Sequence, residues 1–395
     1  MLTSLALIFL CGLLMGGLLQ KCKLPGLIGM LLTGIVLGPS VLNVLDGTLL
    51  SISADLRQIA LIIILARAGL SLAWQDLKSI GRPAVLMSFV PACFEMAGTI
   101  LIAPWLLHIP VLDAAILAAV VASASPAVIV PRMVKLMEAG YGTDKHIPQM
   151  ILAGDSVDDV FNIVVFSALI GLAGGEAITP AQFIPVPISI ASGIGVGLLV
   201  GFGLARLLPK IHLRDSAKVL VLLGIAFLLV TLEEYVQSFF PFSGLVAVMA
   251  AGAALLQTAP AVAKRLSAKL SKLWVAAEIL LFALVGAGMD ISCALSAGGR
   301  TILLLLAILL IRAVGIALCL LGTNLNNKER LFCALTGIPK ATVQAAIGGI
   351  PLALGLSNGN LIWAVAVLTI LFTAPLGAFL LDSTCRRLLH HDTGL

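Results

Sequence analysis

Apolar segments of bilayer length alternate with short polar connections along almost the whole chain. A helix rises about 1.5 Å per residue, so about 20 apolar residues cross the ~30 Å hydrocarbon core of a membrane. The pattern predicts an all-α polytopic membrane protein with thirteen transmembrane helices in a single membrane domain. The predicted spans cover residues 2–20, 24–42, 55–74, 83–107, 111–137, 146–172, 186–208, 217–234, 241–257, 271–293, 299–322, 328–355 and 358–381.

The composition excludes a soluble globular protein, because 60% of the residues are hydrophobic and only 11% are charged. The seven cysteines follow neither a disulfide nor a metal-binding spacing, and we interpret them as small apolar residues. The first residues lack a basic start and a small-residue cleavage site, so we expect a spanning helix there rather than a removed signal.

The distribution of basic residues predicts the orientation. If the amino terminus lies outside, most of the 24 Lys and Arg residues fall in the inner connections and the carboxyl-terminal tail. The outer side then holds only Arg300 and Arg57, as the positive-inside rule requires. We therefore expect an outer amino terminus and a cytoplasmic carboxyl terminus in a multi-pass protein of the bacterial inner (plasma) membrane.

The sixth predicted span contains acids where a bilayer-length segment usually has none. Asp155, Asp158, Asp159 and Asn162 follow one another at steps of three, one and three, so they share one face of a helix. A charge near the bilayer centre costs at least roughly 2.5–3.5 kcal/mol. A structural ion pair is one explanation, but two adjacent carboxylates need more neutralisation than one pair supplies. The pattern favours a cation and protons that compete for the same oxygens.

Two spans contain helix-breaking sequences. The fifth has Ala122-Ser123-Ala124-Ser125-Pro126, and the twelfth has Gly337-Ile338-Pro339-Lys340 followed by Gly348-Gly349-Ile350-Pro351. Proline removes a backbone donor and pushes its predecessor toward extended geometry. The breaks are seven spans apart, so the two spans cross in opposite directions. This spacing predicts two inverted six-helix repeats with crossing discontinuous helices, joined by the seventh span.

Several ionisable residues lie at the same predicted depth as the breaks. Counted from the ends of their spans, they lie roughly halfway through the bilayer. We expect a salt bridge between Glu95 and Arg312, and we expect the paired aspartates to face Lys340 and the breaks. The residues at this depth are Glu95, Ser125, Asp158, Asp159, Arg312 and Lys340. The sequence leaves the roles of Arg67, Asp155 and Glu278 open.

These residues resemble a known family. Gly154-Asp155-Ser156-Val157-Asp158-Asp159, Ser123-Ala124-Ser125-Pro126 and Ile338-Pro339-Lys340-Ala341-Thr342-Val343-Gln344-Ala345-Ala346 are similar to motifs of the monovalent cation:proton antiporter superfamily. The likeness covers nearly the whole chain and is strongest to NHA-type sodium(lithium)/proton antiporters of the paired-aspartate branch. It implies a homodimer in which a core transport part moves against a dimerisation scaffold.

The resemblance also implies boundaries and roles. Residues 1–74 plus 217–293 would form the scaffold, 83–172 plus 299–381 the core, and 186–208 a linker helix. Asp159 would be the main Na⁺ or Li⁺ ligand, with Asp158 beside it and Ala124 and Ser125 in the broken helix. Glu95 and Arg312 would be a structural ion pair, and Lys340 would compensate charge. Electrogenic members of this branch carry a lysine where this chain has Arg312, so we expect an electroneutral cycle.

The residues and the resemblance together predict a secondary active antiporter, not an enzyme, that exchanges Na⁺ or Li⁺ for H⁺ and needs no cofactor. A K⁺/H⁺ antiporter of the same superfamily is the nearest alternative. A passive cation channel fits the broken helices, although adjacent acids with a fixed lysine fit proton competition better. An intramembrane aspartyl protease also uses two membrane aspartates, but on separate helices, whereas Asp158 and Asp159 are adjacent.

Overall fold

The computed structural model describes residues 1–22, 24–71, 81–173, 185–211, 213–236, 240–289 and 291–392, and nearly all of them are helical. Residues 72–74 of the third predicted span and residue 290 of the tenth therefore lie outside the described part of the chain. Within it, the helices are α1 (Leu2–Lys21), α2 (Gly26–Leu37), α3 (Gly47–Ser51), α4 (Ser53–Gly69), α5 (Arg82–Met87), α6 (Val90–Leu107), α7 (Val111–Val121), α8 (Pro126–Glu138), α9 (Ile147–Ala173), α10 (Pro185–Leu207), α11 (Asp215–Val236), α12 (Gly244–Thr258), α13 (Pro260–Ala287), α14 (Ile291–Cys319), α15 (Asn327–Thr336), α16 (Thr342–Ile347), α17 (Ile350–Ala353) and α18 (Gly359–Leu388).

Eight helical segments in the described ranges are long and apolar enough to cross a membrane, and four shorter apolar ones accompany them. The helical membrane architecture that the sequence predicts is therefore confirmed. The count of thirteen spans and the orientation of the termini stay predictions.

Helix boundaries differ from the hydropathy pattern where polar residues are helical. α13 begins at Pro260, although its apolar part was predicted to begin at residue 271. The intervening stretch is rich in Ala, Leu, Lys and Arg, which are strong helix formers, so it continues the helix instead of forming a connection. α14 likewise begins at Ile291 rather than at residue 299.

The predicted span 83–107 is interrupted and forms α5 and α6. Pro91 lies in the first turn of α6, where its missing N–H is tolerated. In a continuous helix its ring would clash with the carbonyl four residues earlier. The Ser88 hydroxyl donates to the Ala84 carbonyl at 3.0 Å, and this bond supports the last turn of α5.

One compact unit contains residues 1–54, 79–166 and 279–395. Within it, α6 and α14 pack closely in antiparallel directions through two glycines. A Cβ atom added at Gly98 would lie 2.5 Å from the Ile311 side chain, and one at Gly315 would lie 3.1 Å from Phe94. Each of these two side chains directly precedes an ionisable residue, so the packing register also aligns the ionisable residues.

The second compact unit contains residues 55–78 and 167–278. Its α10 and α12 approach closely along glycines of α10 that recur every four residues. A Cβ atom at Gly197 would collide with the Ala247 carbonyl, and one at Gly201 with the Ala251 carbonyl. Small residues at this spacing let helix backbones pack tightly within a membrane.

Candidate ion-binding site

The first helix break separates α7 from α8. Pro126 begins α8, and the preceding Ser125 has an extended backbone with φ −104° and ψ 110°. This is the geometry that a following proline favours. Residues 122–125 are non-helical, which confirms the predicted break. Their backbone groups are buried and therefore need partners outside the helix.

The second break separates α15 from α16. α15 ends at Thr336, and α16 begins at Thr342. Pro339 cannot donate a backbone hydrogen bond, and the N–H of Lys340 donates to the Thr373 hydroxyl at 3.0 Å instead of to a helical carbonyl. This break also agrees with the sequence prediction.

The two breaks meet and satisfy part of each other's backbone. The Ser125 N–H donates to the Pro339 carbonyl at 2.8 Å. The side-chain amide of Gln344 donates to the carbonyls of Ser123 at 3.0 Å and Val121 at 3.3 Å. The crossing is thus joined by backbone and side-chain hydrogen bonds, so the two interrupted helices are fixed relative to each other.

The buried acidic face of α9 lies beside this crossing. Asp158 is fully engaged there: its Oδ2 atom accepts from the Arg312 guanidinium at 2.8 Å and from the Ala124 N–H at 3.1 Å. Its Oδ1 atom accepts from the Asn162 side-chain amide at 3.2 Å. Ala124 therefore contributes its backbone N–H to this carboxylate.

Asp159 has different surroundings from its neighbour. Its Oδ1 atom accepts a hydrogen bond from the Ser123 hydroxyl in the first break. The ion pairs of the described residues do not include it. A buried carboxylate without a counter-charge is costly in an apolar medium and needs a proton or a cation.

Glu95, Arg312 and Lys340 form a buried ionic cluster with Asp158. One Glu95 oxygen accepts from the Arg312 guanidinium at 3.0 Å and from the Lys340 ammonium at 2.6 Å. The Ala122 carbonyl in the first break also accepts from both cationic side chains. Two acids and two bases thus compensate each other by direct contact.

The position of Lys340 corrects a sequence prediction. The Glu95–Arg312 contact is present as predicted, but Lys340 binds Glu95 instead of facing the paired aspartates. Arg312 takes that place against Asp158. A guanidinium presents donors in several fixed directions and can bridge two carboxylates, whereas an ammonium is a compact charge.

Several buried oxygen atoms at the breaks and on the acidic face accept no hydrogen bond from the described residues. Interrupted transporter helices coordinate Na⁺ through freed carbonyls and half-helix ends, and such oxygens suit the same ion. Ser125 was predicted from the sequence, and its hydroxyl is one of them. The atoms at the breaks and beside Asp158 are Ser125 Oγ, Asn162 Oδ1, Thr342 Oγ1 and Gln344 Oε1. Glu95 Oε1 in α6 and Asp155 Oδ2, one helical turn before Asp159, also accept no hydrogen bond from the described residues.

The sequence prediction of the site missed Ser123, Gln344 and the amide role of Asn162. Ser123 lies two residues before Ser125 in the same run of small residues, and Asn162 lies four residues after Asp158. Spacing therefore carried a signal for both. Gln344 belongs to the motif of the second broken helix, but its hydrogen bonds could not be predicted from spacing, because they depend on how the two breaks cross.

Apolar helices of membrane-spanning length, with two interrupted helices that meet beside buried carboxylates, define a membrane ion transporter. The family model described as "Sodium/hydrogen exchanger, transmembrane" matches residues 5–386, and the chain belongs to this sodium/hydrogen exchanger family. The resemblance to cation:proton antiporters that the motifs indicate is confirmed.

Individual relatives agree with the family. Human sodium/hydrogen exchanger 9B2 is 33% identical over 414 residues, which cover 98% of this chain and 75% of that protein. Human sodium/hydrogen exchanger 9B1 is 31% identical, with 98% and 79% covered. The sodium proton antiporter MjNhaP1 from Methanocaldococcus jannaschii has the same fold, with a TM-score of 0.86, 21% identity and 98% of both chains covered.

Proposed function

We propose that this protein is a secondary active antiporter that exchanges Na⁺ or Li⁺ for H⁺ by alternating access. The observation that carries the proposal is the unequal engagement of two adjacent buried carboxylates. Asp158 is held by Arg312, a backbone N–H and an amide, whereas Asp159 receives a hydroxyl hydrogen bond and has no ion pair among the described residues. One acid is thus fixed, and its neighbour is free to exchange its positive partner.

In this proposal a cation and a proton compete for Asp159. Asp158 supplies negative potential beside the bound ion. The hydroxyls of Ser123 and Ser125 add neutral oxygen ligands from the first break. Binding of either partner neutralises Asp159, which lowers the cost of moving the site across the membrane.

The ionic cluster favours an electroneutral cycle. An arginine keeps its proton in proteins, so Arg312 is a permanent charge. Lys340 is bound to Glu95 at 2.6 Å, and this ion pair compensates its charge. Only Asp159 then changes its proton when the cation binds, and one Na⁺ exchanges for one H⁺.

The wider architecture belongs to the same proposal. It comprises thirteen spans in two inverted repeats, an outer amino terminus and a homodimer in a bacterial inner membrane. The scaffold of residues 1–74 plus 217–293 and the core of 83–172 plus 299–381 would move against each other, with 186–208 as the linker. The exchange requires no cofactor beyond the transported ions.

Purified protein in proteoliposomes with a pH-sensitive dye tests the exchange. Na⁺ and Li⁺ are expected to drive proton movement, and Asp159→Asn is expected to abolish it. A response to K⁺ alone would support the K⁺/H⁺ alternative. A channel would pass cations but would not move Na⁺ uphill from a pH gradient. On a solid-supported membrane, a sustained sodium-dependent current absent in Asp159→Asn would contradict the electroneutral cycle.

A further inference from the structure

A third carboxylate, Asp155, lies one helical turn before Asp159 on α9 and outside the ionic cluster. Its side chain is only 9% exposed, and its Oδ2 atom accepts no hydrogen bond from the described residues. The ion pairs of that part of the chain do not include it. A buried carboxylate in this condition needs a proton or a cation.

Asp155 lines a small cavity within its own structural unit. Met87 and Pro91 line it from the junction of α5 and α6. Thr336 and Gly337 line it from the end of α15, at the second helix break. Asp155, whose Oδ2 atom accepts no hydrogen bond from the described residues, thus borders this cavity beside the candidate ion site.

The cavity lies between the exchange site and one end of this unit. Lys145 lies two residues before α9 and pairs with Glu329 in the first turn of α15 at 2.9 Å, so both helices begin at the same end. At about 1.5 Å per residue, Asp155 lies roughly 12 Å into α9 and Asp159 roughly 18 Å. A proton that enters from this end reaches Asp155 first.

We propose that Asp155 is a proton relay for the exchange site, and this inference rests on the proposed antiport. Asp155 gives its proton to Asp159 as the cation leaves, so an O–H bond breaks on one acid and forms on the other. The Asp155 carboxylate then takes a proton from the aqueous side through the cavity. On adjacent helical turns the Cβ atoms lie about 5–6 Å apart, so two carboxyl groups there are close enough for a proton to pass directly or through one water.

The charges around Asp155 fit a brief loss of its proton. Asp158 and Asp159 on its own helix disfavour the anion, and Glu95 on α6 does so from farther away. Arg312 lines the same cavity, and its Nε atom donates no hydrogen bond within the described residues. This permanent cation stabilises the Asp155 carboxylate, and Lys340 adds a second positive charge nearby.

Two exchange modes of the same proteoliposomes separate a relay from a structural role. Na⁺/H⁺ exchange needs proton transfer, whereas exchange of isotopic Na⁺ for Na⁺ does not. Asp155→Asn is expected to slow Na⁺/H⁺ exchange by about tenfold or more, the effect of losing a positioned proton-transfer group. Isotopic exchange should stay within about twofold of wild type, because that mode involves no proton-transfer step. Asp155→Glu should restore proton-coupled exchange, and Asp155→Ser repeats the test if the amide variant folds poorly.

Asp113→Asn is the matched control. Asp113 lies on α7 and is 8% exposed, and its Oδ2 atom accepts a hydrogen bond at 2.5 Å from the side-chain amide of Asn358, the N-cap residue of α18. It is expected to show no loss specific to the proton-coupled mode. Equal slowing of both modes in the Asp155 variants, or an unchanged Na⁺/H⁺ rate, would overturn the relay. Absence of Na⁺/H⁺ exchange in the wild type would instead contradict the proposed function.

Discussion

The candidate ion site has one side made of ion pairs and one side without ion pairs among the described residues. On one side, Glu95, Asp158, Arg312 and Lys340 form a closed set of direct contacts between 2.6 and 3.0 Å. On the other, Asp159 accepts a hydrogen bond from the Ser123 hydroxyl, and several buried oxygens of the two helix breaks lack donors within the described part of the chain. The two aspartates are sequence neighbours, so their difference comes from tertiary packing alone.

This difference assigns separate tasks to the two sides. A closed ionic set stabilises its members mutually, and breaking it leaves an uncompensated charge in the membrane. An acid with few donors is costly by itself but can accept different positive partners. In the proposed cycle the first side would therefore preserve the geometry of the site, and the second side would perform the exchange.

The largest expected effect is on the exchanging side. Asp159→Asn keeps the size of the side chain but removes the charge that both the cation and the proton need. We expect folded protein with no Na⁺-driven proton movement in proteoliposomes. Asp158→Asn should impair transport less completely and destabilise the protein more, because it opens the ionic cluster. Exchange near the wild-type rate in Asp159→Asn would remove Asp159 from the site.

On the ion-paired side, the expected effect is on stability. Glu95→Gln or Arg312→Gln leaves a buried partner unpaired, which costs on the order of 3–5 kcal/mol. We expect melting temperatures to fall strongly while the apparent Na⁺ affinity of the surviving protein changes less.

Arg265→Gln provides the matched control for this prediction. Arg265 pairs with Asp215 through one contact at 3.1 Å, and the Arg265 side chain is 53% exposed. An exposed pair contributes only about 0–1 kcal/mol, so this variant should melt close to wild type. Wild-type melting temperatures for both Glu95→Gln and Arg312→Gln would show that the cluster does not hold the site together.

A smaller effect is expected of pH on the half-saturation concentration of Na⁺. If a proton and Na⁺ compete for Asp159 as proposed, the half-saturation concentration of Na⁺ should rise as pH falls. With one competing proton the rise is at most about tenfold per pH unit, and with two it is steeper. Measured exchange rates across pH and Na⁺ concentration give this slope. A flat half-saturation concentration from acid to alkaline pH is incompatible with direct competition.

The smallest effect should come from removing the Ser123 hydroxyl, which donates a hydrogen bond to Asp159. Ser123→Ala removes one hydrogen bond, worth about 0.5–1.5 kcal/mol, and should raise the half-saturation concentration about 2- to 10-fold. Ser192→Ala removes a comparable hydroxyl, which donates to the Pro241 carbonyl at 2.7 Å in the other unit. That control should leave the half-saturation concentration unchanged. Identical values for wild type and Ser123→Ala would mean that the cation binds away from this hydroxyl.

Much of the fold and part of the site could be predicted from the sequence, because their signals are local. Apolar length predicts the helices, and Pro126 and Pro339 predict the breaks. The spacing of Asp155, Asp158 and Asp159 predicts one acidic face. Each of these signals acts within a few residues of the chain.

The partners of the charged residues could not be predicted in this way. Depth alone placed Lys340 with the aspartates, but a depth estimate does not show how helices rotate about their axes. The packing of α6 on α14 lets Arg312 contact both Glu95 and Asp158, while Lys340 contacts Glu95. The start of α13 was missed for another reason, since a charged helical turn and a connection have the same composition.

The close contact of α6 with α14 also restricts how the protein can move. Gly98 accommodates Ile311, and Gly315 accommodates Phe94, on opposite sides of the ion pair. A slide of one residue along either axis, about 1.5 Å, would drive both side chains onto helix backbone. Shear between these helices is therefore disfavoured in both directions. We expect the motion of the proposed transport cycle to carry α6 and α14 together as one body.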